Sequence, residues 1–264
     1  MDKRYVKKDA KPRSKEEKKP LPATYVIGRN AVSELLKSGR AVDKIYIKKG
    51  ERTGSITVIA SEAIRRSIPI VEVEGHKLDS MAGGQNHQGV IASAALKDYV
   101  GIDELLDNAK SKGEKPLIII ADGVEDPQNL GALLRVAECC GAHGVIIPKR
   151  RAVGLTEAVG RASAGAVEYV PVAKVTNLAS AIDELKEKGL WIFAAEAGGT
   201  PHYQTDMTCS AGIILGSEGF GVSRLLKDKS DFIISIPMYG KINSLNVASA
   251  AAVILSEAAK QRNV

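Results

Sequence analysis

Short apolar runs alternate with helical patterns along most of the chain. The runs at 117–121, 212–215 and 232–236 have almost no polar alternation, which is typical of parallel strands buried on both faces. Between such runs, apolar residues recur at spacings of three and four, which predicts amphipathic helices. Strands and helices in regular alternation predict an α/β fold with a doubly wound, mostly parallel sheet.

The same pattern gives the individual elements. After residue 116, strands are predicted at 117–121, 144–147, 167–170, 191–195, 212–215 and 232–236, and helices at 130–140, 156–163, 178–188 and 246–261. Before residue 97, strands are predicted at 44–47, 69–73 and 89–94, and helices at 31–37 and 59–66.

This pattern divides the chain into four predicted segments. Residues 1–22 form a basic tail, 23–97 a small α/β domain, 98–115 a linker and 116–264 a larger α/β domain. The tail contains nine Lys or Arg residues against four acidic ones, so it carries most of the net charge of +6. Its low apolar content predicts disorder. It is interpreted either as an arm that attracts RNA phosphates or as a solubilising tail.

Several classes of protein are disfavoured. No stretch approaches about 20 consecutive apolar residues, and the N-terminus lacks the apolar core of a secretory signal. The three cysteines form neither a disulfide framework nor a zinc pattern, so we expect no metal and a cytoplasmic location. Neither the dinucleotide fingerprint Gly-x-Gly-x-x-Gly nor a phosphate-binding loop follows the first strand of the larger domain, which makes an NAD-dependent oxidoreductase a remote alternative.

Three segments place glycine and polar residues directly after apolar runs. They are 122–135 (DGVEDPQNLGALLR), 213–221 (IILGSEGFG) and 233–248, which contains ISIPM and SLNVA. Ligands of open α/β sheets bind beyond the carboxyl ends of the strands, so these segments predict one common site.

In order, spacing and residue identity, the three segments resemble the motifs of the SpoU (TrmH) family of SPOUT RNA methyltransferases. That resemblance implies a C-terminal trefoil knot between the 212–221 and 232–248 stretches. It also implies that S-adenosylmethionine is the cofactor, RNA the substrate and a homodimer the assembly. The segment 23–97 is similar to the substrate-binding domain of that family, which has the fold of the ribosomal L30e and L7Ae proteins.

The resemblance also implies roles for individual residues. The matching cofactor positions are Gly216, Ile236 and Leu245, and Met238 is added because it lies beside them on the chain. The predicted catalytic residues are Arg135, Asn129, Glu218, Ser244 and Asn246. A guanidinium normally stays protonated, so Arg135 is interpreted either as the family's proposed base or as a clamp on an RNA phosphate. Asn129, Ser244 and Asn246 have a second interpretation as helix caps.

The predicted function is 2′-O-methylation of a guanosine ribose in 23S rRNA, because the full architecture looks closest to enzymes with that activity. One alternative is a tRNA guanosine 2′-O-methyltransferase, since the small domain does not specify its RNA. Another is a non-catalytic RNA-binding or ribosome-assembly protein, which the intact set of polar motif residues disfavours.

Overall fold

The computed structural model describes residues 25–37, 39–50 and 53–263, in two units that each contain one sheet. The predicted tail at 1–22 lies outside these residues. The first unit has four strands in the order β1-β4-β2-β3, and the second has six strands in the order β10-β8-β9-β5-β6-β7. Every pairing in the six-stranded sheet is parallel, so the predicted α/β fold class is confirmed.

The first unit packs its helices on a small mixed sheet. Its strands are β1 (Tyr25–Ile27), β2 (Val42–Lys48), β3 (Ile70–Val73) and β4 (Val90–Ala94), and its helices are α1 (Arg29–Lys37), α2 (Ser55–Arg65) and α3 (Gly75–Ala82). The core contains Ile45 and Ile47 of β2 and Ile56 and Ile59 of α2, all buried. Their spacings of two and three residues place each pair on one face of its element.

The second unit has helices on both faces of its sheet. Its strands are β5 (Leu117–Asp122), β6 (Gly144–Pro148), β7 (Val172–Val175), β8 (Trp191–Pro201), β9 (Ala211–Gly216) and β10 (Phe232–Ser235). Its helices are α4 (Ile102–Ser111), α5 (Pro127–Cys139), α6 (Glu157–Ala162), α7 (Leu178–Glu187), α8 (Arg224–Lys229) and α9 (Val247–Arg262). The apolar clusters on the two faces are separate, and each combines strand residues with residues of the helices packed on that face.

Three details differ from the elements predicted from the pattern. The strand predicted at 167–170 is wrong, because a 3-10 turn covers Ala166–Glu168 and the strand itself is β7. Val167 and Val170 are both buried at a spacing of three, which fits one helical turn. Helices α3 and α8 were not predicted, since α3 buries only Leu78 and Ala82, and α8 is short and strongly basic.

The segment predicted as a linker is part of the second unit's core. Ile102 and Leu105 of α4 are buried in the cluster on one face of the large sheet. Just before α4, Val100 forms a parallel bridge with Ala173 of β7. The region 98–115 therefore extends the second unit rather than only connecting the two.

A buried polar cluster joins the two units. Asp43 of β2 is 2% exposed, and its Oδ1 accepts hydrogen bonds from the hydroxyl of Tyr99 and, at 2.6 Å, from Nζ of Lys174. The Lys174 ammonium also lies 4.8 Å from the centre of the Tyr99 ring, and burial lowers its pKa. A Cβ at position 154 would lie 2.2 Å from Cγ of Asp43, so Gly154 makes room for the carboxylate. We call Asp43, Tyr99 and Lys174 the interunit clasp.

Lys174→Met is expected to destabilise the protein by about 3–5 kcal/mol, because it leaves the Asp43 carboxylate buried without a counter-ion. Asp43→Asn combined with Lys174→Met should cost less than Lys174→Met alone, since no charge then remains. The free energies of unfolding of both variants are measured by urea denaturation, monitored by Trp191 fluorescence and by circular dichroism. The matched control is Lys188→Met, which removes an exposed ion pair with Asp103 at 2.7 Å and should cost about 1 kcal/mol or less. Equal costs for the two lysine variants would contradict a buried clasp.

The last turn of the C-terminal helix α9 is hydrogen-bonded to backbone carbonyls of the large sheet's preceding loops. The guanidinium of Arg262 donates to the carbonyl of Met207 at 3.0 Å, of Lys115 at 2.8 Å and of Pro116 at 3.2 Å, and also to that of Cys209. These carbonyls precede β5 and β9, the two central strands of the large sheet. Arg262 therefore ties the end of α9 to the amino-terminal edge of that sheet.

Candidate functional site

A cavity of about 600 Å³ opens at the carboxyl ends of β9 and β10, beside the middle of β8. Its walls come from β8, from the loops that follow β9 and β10 and from the first half of α9. They comprise residues 195–198, 215–221, 234–238 and 243–245 together with Val247, Ala250 and Ile254. This is the edge at which open α/β sheets bind ligands. The two stretches predicted to form the knot therefore line the same cavity.

The four residues predicted to bind cofactor all line this cavity. Gly216 ends β9, Ile236 follows β10, and Met238 and Leu245 come from the loop before α9. Ile236 is half-buried and packs on the core, whereas Met238 and Leu245 are each 38% exposed. The last two therefore leave apolar surface open at the cavity.

Gly216 is required by the shape of its own loop. A Cβ at this position would lie 2.0 Å from the carbonyl carbon of Gly221 and 2.2 Å from the backbone nitrogen of Val222. The loop closes with a hydrogen bond of 2.8 Å from the Gly221 N–H to the Ser217 carbonyl. The contact that excludes a side chain at position 216 is therefore with the backbone of the same loop.

Three of the predicted catalytic side chains form one hydrogen-bonded cluster. Nδ2 of Asn129 donates to Oε1 of Glu218 at 2.9 Å, and Nδ2 of Asn246 donates to Oδ1 of Asn129 at 2.8 Å. The Asn246 amide also donates to the same oxygen of Glu218. These residues come from the three sequence motifs and are up to 117 positions apart. The cluster borders the cavity through Glu218.

The helix-cap interpretation is wrong for Asn129 and confirmed for Asn246. Asn129 is not the cap of α5, because Asp126 is, accepting the backbone N–H groups of Gln128 at 2.8 Å and Asn129 at 3.0 Å. Asp126 followed by Pro127 is a helix-start signal that the sequence interpretation passed over. Asn246 does cap α9, since its Oδ1 accepts a hydrogen bond from the Ala248 N–H at 3.0 Å. Its amide nitrogen donates to Asn129 and Glu218 in the cluster.

Arg135 and Ser244 are placed differently. Ser244 is exposed and lines the cavity next to Leu245, and it is not the cap of α9. Arg135 lies six residues beyond Asn129 on α5, which is about 9 Å along the helix axis. It is exposed and does not line the cavity of its own chain. The structure therefore does not bring Arg135 together with the other predicted residues within one chain.

Glu196 is a cavity residue that sequence reasoning missed. It follows the apolar start of β8, and its Oε2 accepts the Val222 N–H at 3.1 Å and lies 3.4 Å from Nζ of Lys227. A Cβ on Gly221 would lie 2.7 Å from the same oxygen. Glu196 therefore holds the loop that follows Gly216. A single carboxylate after five apolar residues was the available signal.

The described residues 25–37, 39–50 and 53–263 contain neither a candidate metal site nor a candidate membrane-spanning helix. No group of three or more His, Cys, Asp or Glu side chains in them could hold a metal ion. Within the same residues, no helix has the length and apolar character needed to cross a membrane.

Sequence comparison assigns both units to known families. Residues 116–256 match the model of the SpoU rRNA Methylase family. Residues 25–100 match the family described as RNA 2′-O ribose methyltransferase substrate binding.

Bacterial relatives match over nearly the whole chain. YacO of Bacillus subtilis, assigned to the TrmH family of tRNA/rRNA methyltransferases, is 44% identical over 240 residues, which cover 90% of this chain and 96% of YacO. A TrmH-family protein of Staphylococcus epidermidis is 46% identical over 241 residues, with the same two coverages.

Solved structures share the fold. AviRb from Streptomyces viridochromogenes, a SpoU methyltransferase in complex with AdoMet, has a TM-score of 0.57 and 23% identity, covering 90% of this chain and 89% of AviRb. The TrmH/SpoU tRNA modifying enzyme of A. aeolicus has a TM-score of 0.52 and 29% identity, covering 60% of this chain and 79% of that one. The chain thus belongs to the SpoU (TrmH) family of RNA methyltransferases, which take their methyl group from S-adenosylmethionine.

Proposed function

We propose that the protein methylates the ribose 2′-oxygen of a guanosine in 23S rRNA. The observation that carries this proposal is the Asn129–Glu218–Asn246 cluster beside the cavity lined by Gly216, Ile236 and Leu245. A family member that had lost catalysis would have no need to keep these polar side chains in contact at an exposed edge. The intact cluster therefore favours an enzyme over a non-catalytic assembly protein.

The cavity suits S-adenosylmethionine in size and chemistry. Its volume of about 600 Å³ falls within the usual range for small-molecule sites. Ile236, Met238 and Leu245 offer apolar surface to the adenine, and the backbone of the 216–221 loop offers amides and carbonyls to the polar groups. The cofactor would supply a methyl group bonded to a positively charged sulfur. When an oxygen nucleophile attacks the methyl carbon, the sulfur would leave as a neutral thioether.

The residues of the chain orient the nucleophile and manage its proton. The 2′-hydroxyl is a weak nucleophile, so its oxygen gains the methyl carbon as its proton leaves. The guanidinium of Arg135, which stays protonated, binds the adjacent RNA phosphate and stabilises the developing negative charge on that oxygen. The proton passes to a phosphate oxygen or to water. Ser244 and Glu218, at the cavity rim, hold the ribose or the base.

The proposal includes a homodimer in which Arg135 of one subunit acts at the cavity of the other. Arg135 is exposed on α5 and lines no part of its own cavity. Large apolar side chains are exposed around the cavity, namely Phe220 (94%), Met238 (38%), Tyr239 (93%), Ile242 (74%) and Leu245 (38%). Exposed apolar side chains concentrated around one opening mark an interaction surface. A second copy placed there would cover them and complete the site.

The substrate assignment is tested by methyl transfer from labelled S-adenosylmethionine to unmodified 23S rRNA and to unmodified bulk tRNA in parallel. Nucleoside analysis of the products identifies the methylated residue. We expect 2′-O-methylguanosine in 23S rRNA alone. The tRNA alternative has support in the A. aeolicus structure, and label in tRNA alone would establish it. Cofactor binding without label in either RNA would contradict the proposal and favour a non-catalytic protein.

A cytoplasmic location is also part of this proposal. Cys139, Cys140 and Cys209 are all free thiols, which suits a reducing compartment.

A further inference from the structure

A second crevice opens on the same edge of the large sheet as the cofactor cavity. It encloses about 260 Å³ and lies at the ends of β5, β6 and β7, where Asp122, Arg150, Arg151 and Asn177 contribute to its lining. Asp122 of β5 pairs directly with Gly216 of β9, which lines the cofactor cavity. Asp122, which lines the crevice, and Gly216, which lines the cofactor cavity, are therefore neighbours across one strand spacing, about 4.8 Å.

The crevice receives two arginines from a firmly anchored loop. Arg150 and Arg151 follow Lys149 directly after β6. The Lys149 N–H donates to the Val175 carbonyl at 2.8 Å, and the Val153 N–H donates to the Val124 carbonyl at 3.1 Å. Both ends of the loop are thus fixed to neighbouring elements, so the two arginines are held at the sheet edge rather than on a free segment.

The charge of these arginines is not neutralised by the protein. Both are exposed, and within the described part of the chain neither forms an ion pair. The nearest acidic lining residue, Asp122, accepts the Ser223 N–H at 2.9 Å. Two cations against one hydrogen-bonded carboxylate leave the crevice positively charged, and Lys149 adds a third cation beside it.

The backbone of Arg151 is strained. Its φ is +54°, in the left-handed region that favours glycine and asparagine. Such a conformation costs on the order of 1–3 kcal/mol and persists where the surroundings impose it. Glycine would adopt this conformation without strain, so Arg151 allows the effect of its side chain to be separated from that of its backbone.

We propose that Arg150 and Arg151 bind a backbone phosphate of the RNA substrate next to the nucleotide being methylated. This inference rests on the proposed function, because the cofactor cavity defines where the target ribose lies. A guanidinium forms two parallel hydrogen bonds with a phosphate, which fixes position as well as providing attraction. Phosphate contacts set the register of a nucleic acid on a protein without reading its sequence. The two arginines are therefore positioning residues, distinct from Arg135 at the reacting oxygen.

The test compares Arg150→Gln/Arg151→Gln with Lys110→Gln/Lys112→Gln, which removes the same charge. Lys110, in the last turn of α4, and Lys112, just after that helix, are exposed at the opposite edge of the sheet. The probe is 23S rRNA, and its affinity is measured by filter binding over a range of salt concentrations. We expect the arginine variant to bind about tenfold more weakly or worse. Its salt slope should fall by about 1.4, the value for two contacts to single-stranded RNA. Cofactor affinity should be unchanged.

Arg151→Gly separates binding from folding. Glycine relieves the strained backbone, so this variant should melt at the wild-type temperature or above it while still binding RNA more weakly. Wild-type RNA affinity in Arg151→Gly would exclude a phosphate contact by Arg151. If the double arginine variant matched the lysine control in affinity and salt slope, the whole site would be excluded.

The experiment distinguishes a failure of this inference from a failure of the proposed function. A wild-type protein that methylates RNA, with arginine variants that bind it normally, would leave the function intact and remove this site. A wild-type protein that transfers no methyl group, but whose RNA affinity falls in the arginine variants, would keep the site and remove the function.

Discussion

Arg135→Lys is expected to lower the rate of methyl transfer by about a hundred- to a thousandfold, the usual cost of removing one donor to a developing oxyanion. Lysine keeps the charge but cannot form two parallel hydrogen bonds, so it neither fixes the phosphate nor aligns the 2′-oxygen. Because Arg135 is proposed to contact the RNA phosphate and the 2′-oxygen rather than the cofactor, cofactor affinity should stay within about twofold of the wild type. Single-turnover kinetics at saturating RNA and equilibrium titration of the cofactor measure the two quantities.

The matched control for this variant is Arg65→Lys. Arg65 lies on α2 of the first unit and pairs with Glu62 at 2.6 Å, on a largely exposed surface. That replacement should leave the rate unchanged. Near-normal turnover in Arg135→Lys would exclude both roles considered for this residue, the base and the phosphate clamp.

Gly216→Ala is expected to weaken cofactor binding by at least about a hundredfold, or about 2.7 kcal/mol. The new methyl group would lie 2.0 Å from the carbonyl carbon of Gly221, so the 216–222 loop has to move away from the cavity wall that it forms. The displaced atoms are backbone, which cannot turn aside as a flexible side chain can. Overpacking of this kind also costs about 1–3 kcal/mol of folding stability. Isothermal titration with S-adenosylmethionine and thermal unfolding give both values.

Gly219→Ala provides the control within the same loop. A Cβ at this position meets no heavy atom within 4 Å, although Gly219 also lines the cavity. Its cofactor affinity and melting temperature should remain near those of the wild type. Equal losses in the two variants would show that general loss of glycine flexibility, rather than the contact with Gly221, limits position 216.

The proposed dimer makes these two variants complementary. In a mixed dimer of Arg135→Lys and Gly216→Ala subunits, the intact cavity of the first subunit faces the intact Arg135 of the second. Random assortment of equal amounts should restore about a quarter of the wild-type sites, since half of the dimers are mixed and each has one complete site. No recovery after co-refolding would contradict an active site shared between subunits.

The central strands could be predicted from the sequence because an unbroken apolar run is stable only where both faces of the strand are buried. The run at 117–121 is buried on both faces, and β5 occupies the centre of the sheet as expected. The same reasoning failed at 167–170, where Val167 lies in a 3-10 turn and Val170 lies just after it, both buried. A short segment with apolar residues three positions apart fits either a strand or a helical turn, and tertiary packing decides between the two.

The candidate site could be predicted as a set of residues but not as an arrangement. Resemblance supplied Asn129, Glu218 and Asn246, and the hydrogen bonds among them became visible only when the strands were placed side by side. Asp43 and Lys174 are 131 positions apart, and nothing local to either residue marks it as buried. Contacts of this kind depend on the topology of the sheet, which periodicity along the chain does not encode.

The fastening of α9 by Arg262 has a consequence for synthesis on the ribosome. Domains form from the N-terminus onwards as the chain emerges, and most strands of the large sheet are complete before α9 is translated. Val247, Ala250 and Ile254 of α9 supply one wall of the cofactor cavity, and Asn246 supplies one member of the polar cluster. A nascent chain in which α9 has not yet packed therefore lacks both this wall and Asn246, and the contacts of Arg262 with the carbonyls before β5 and β9 are the last of the helix to form.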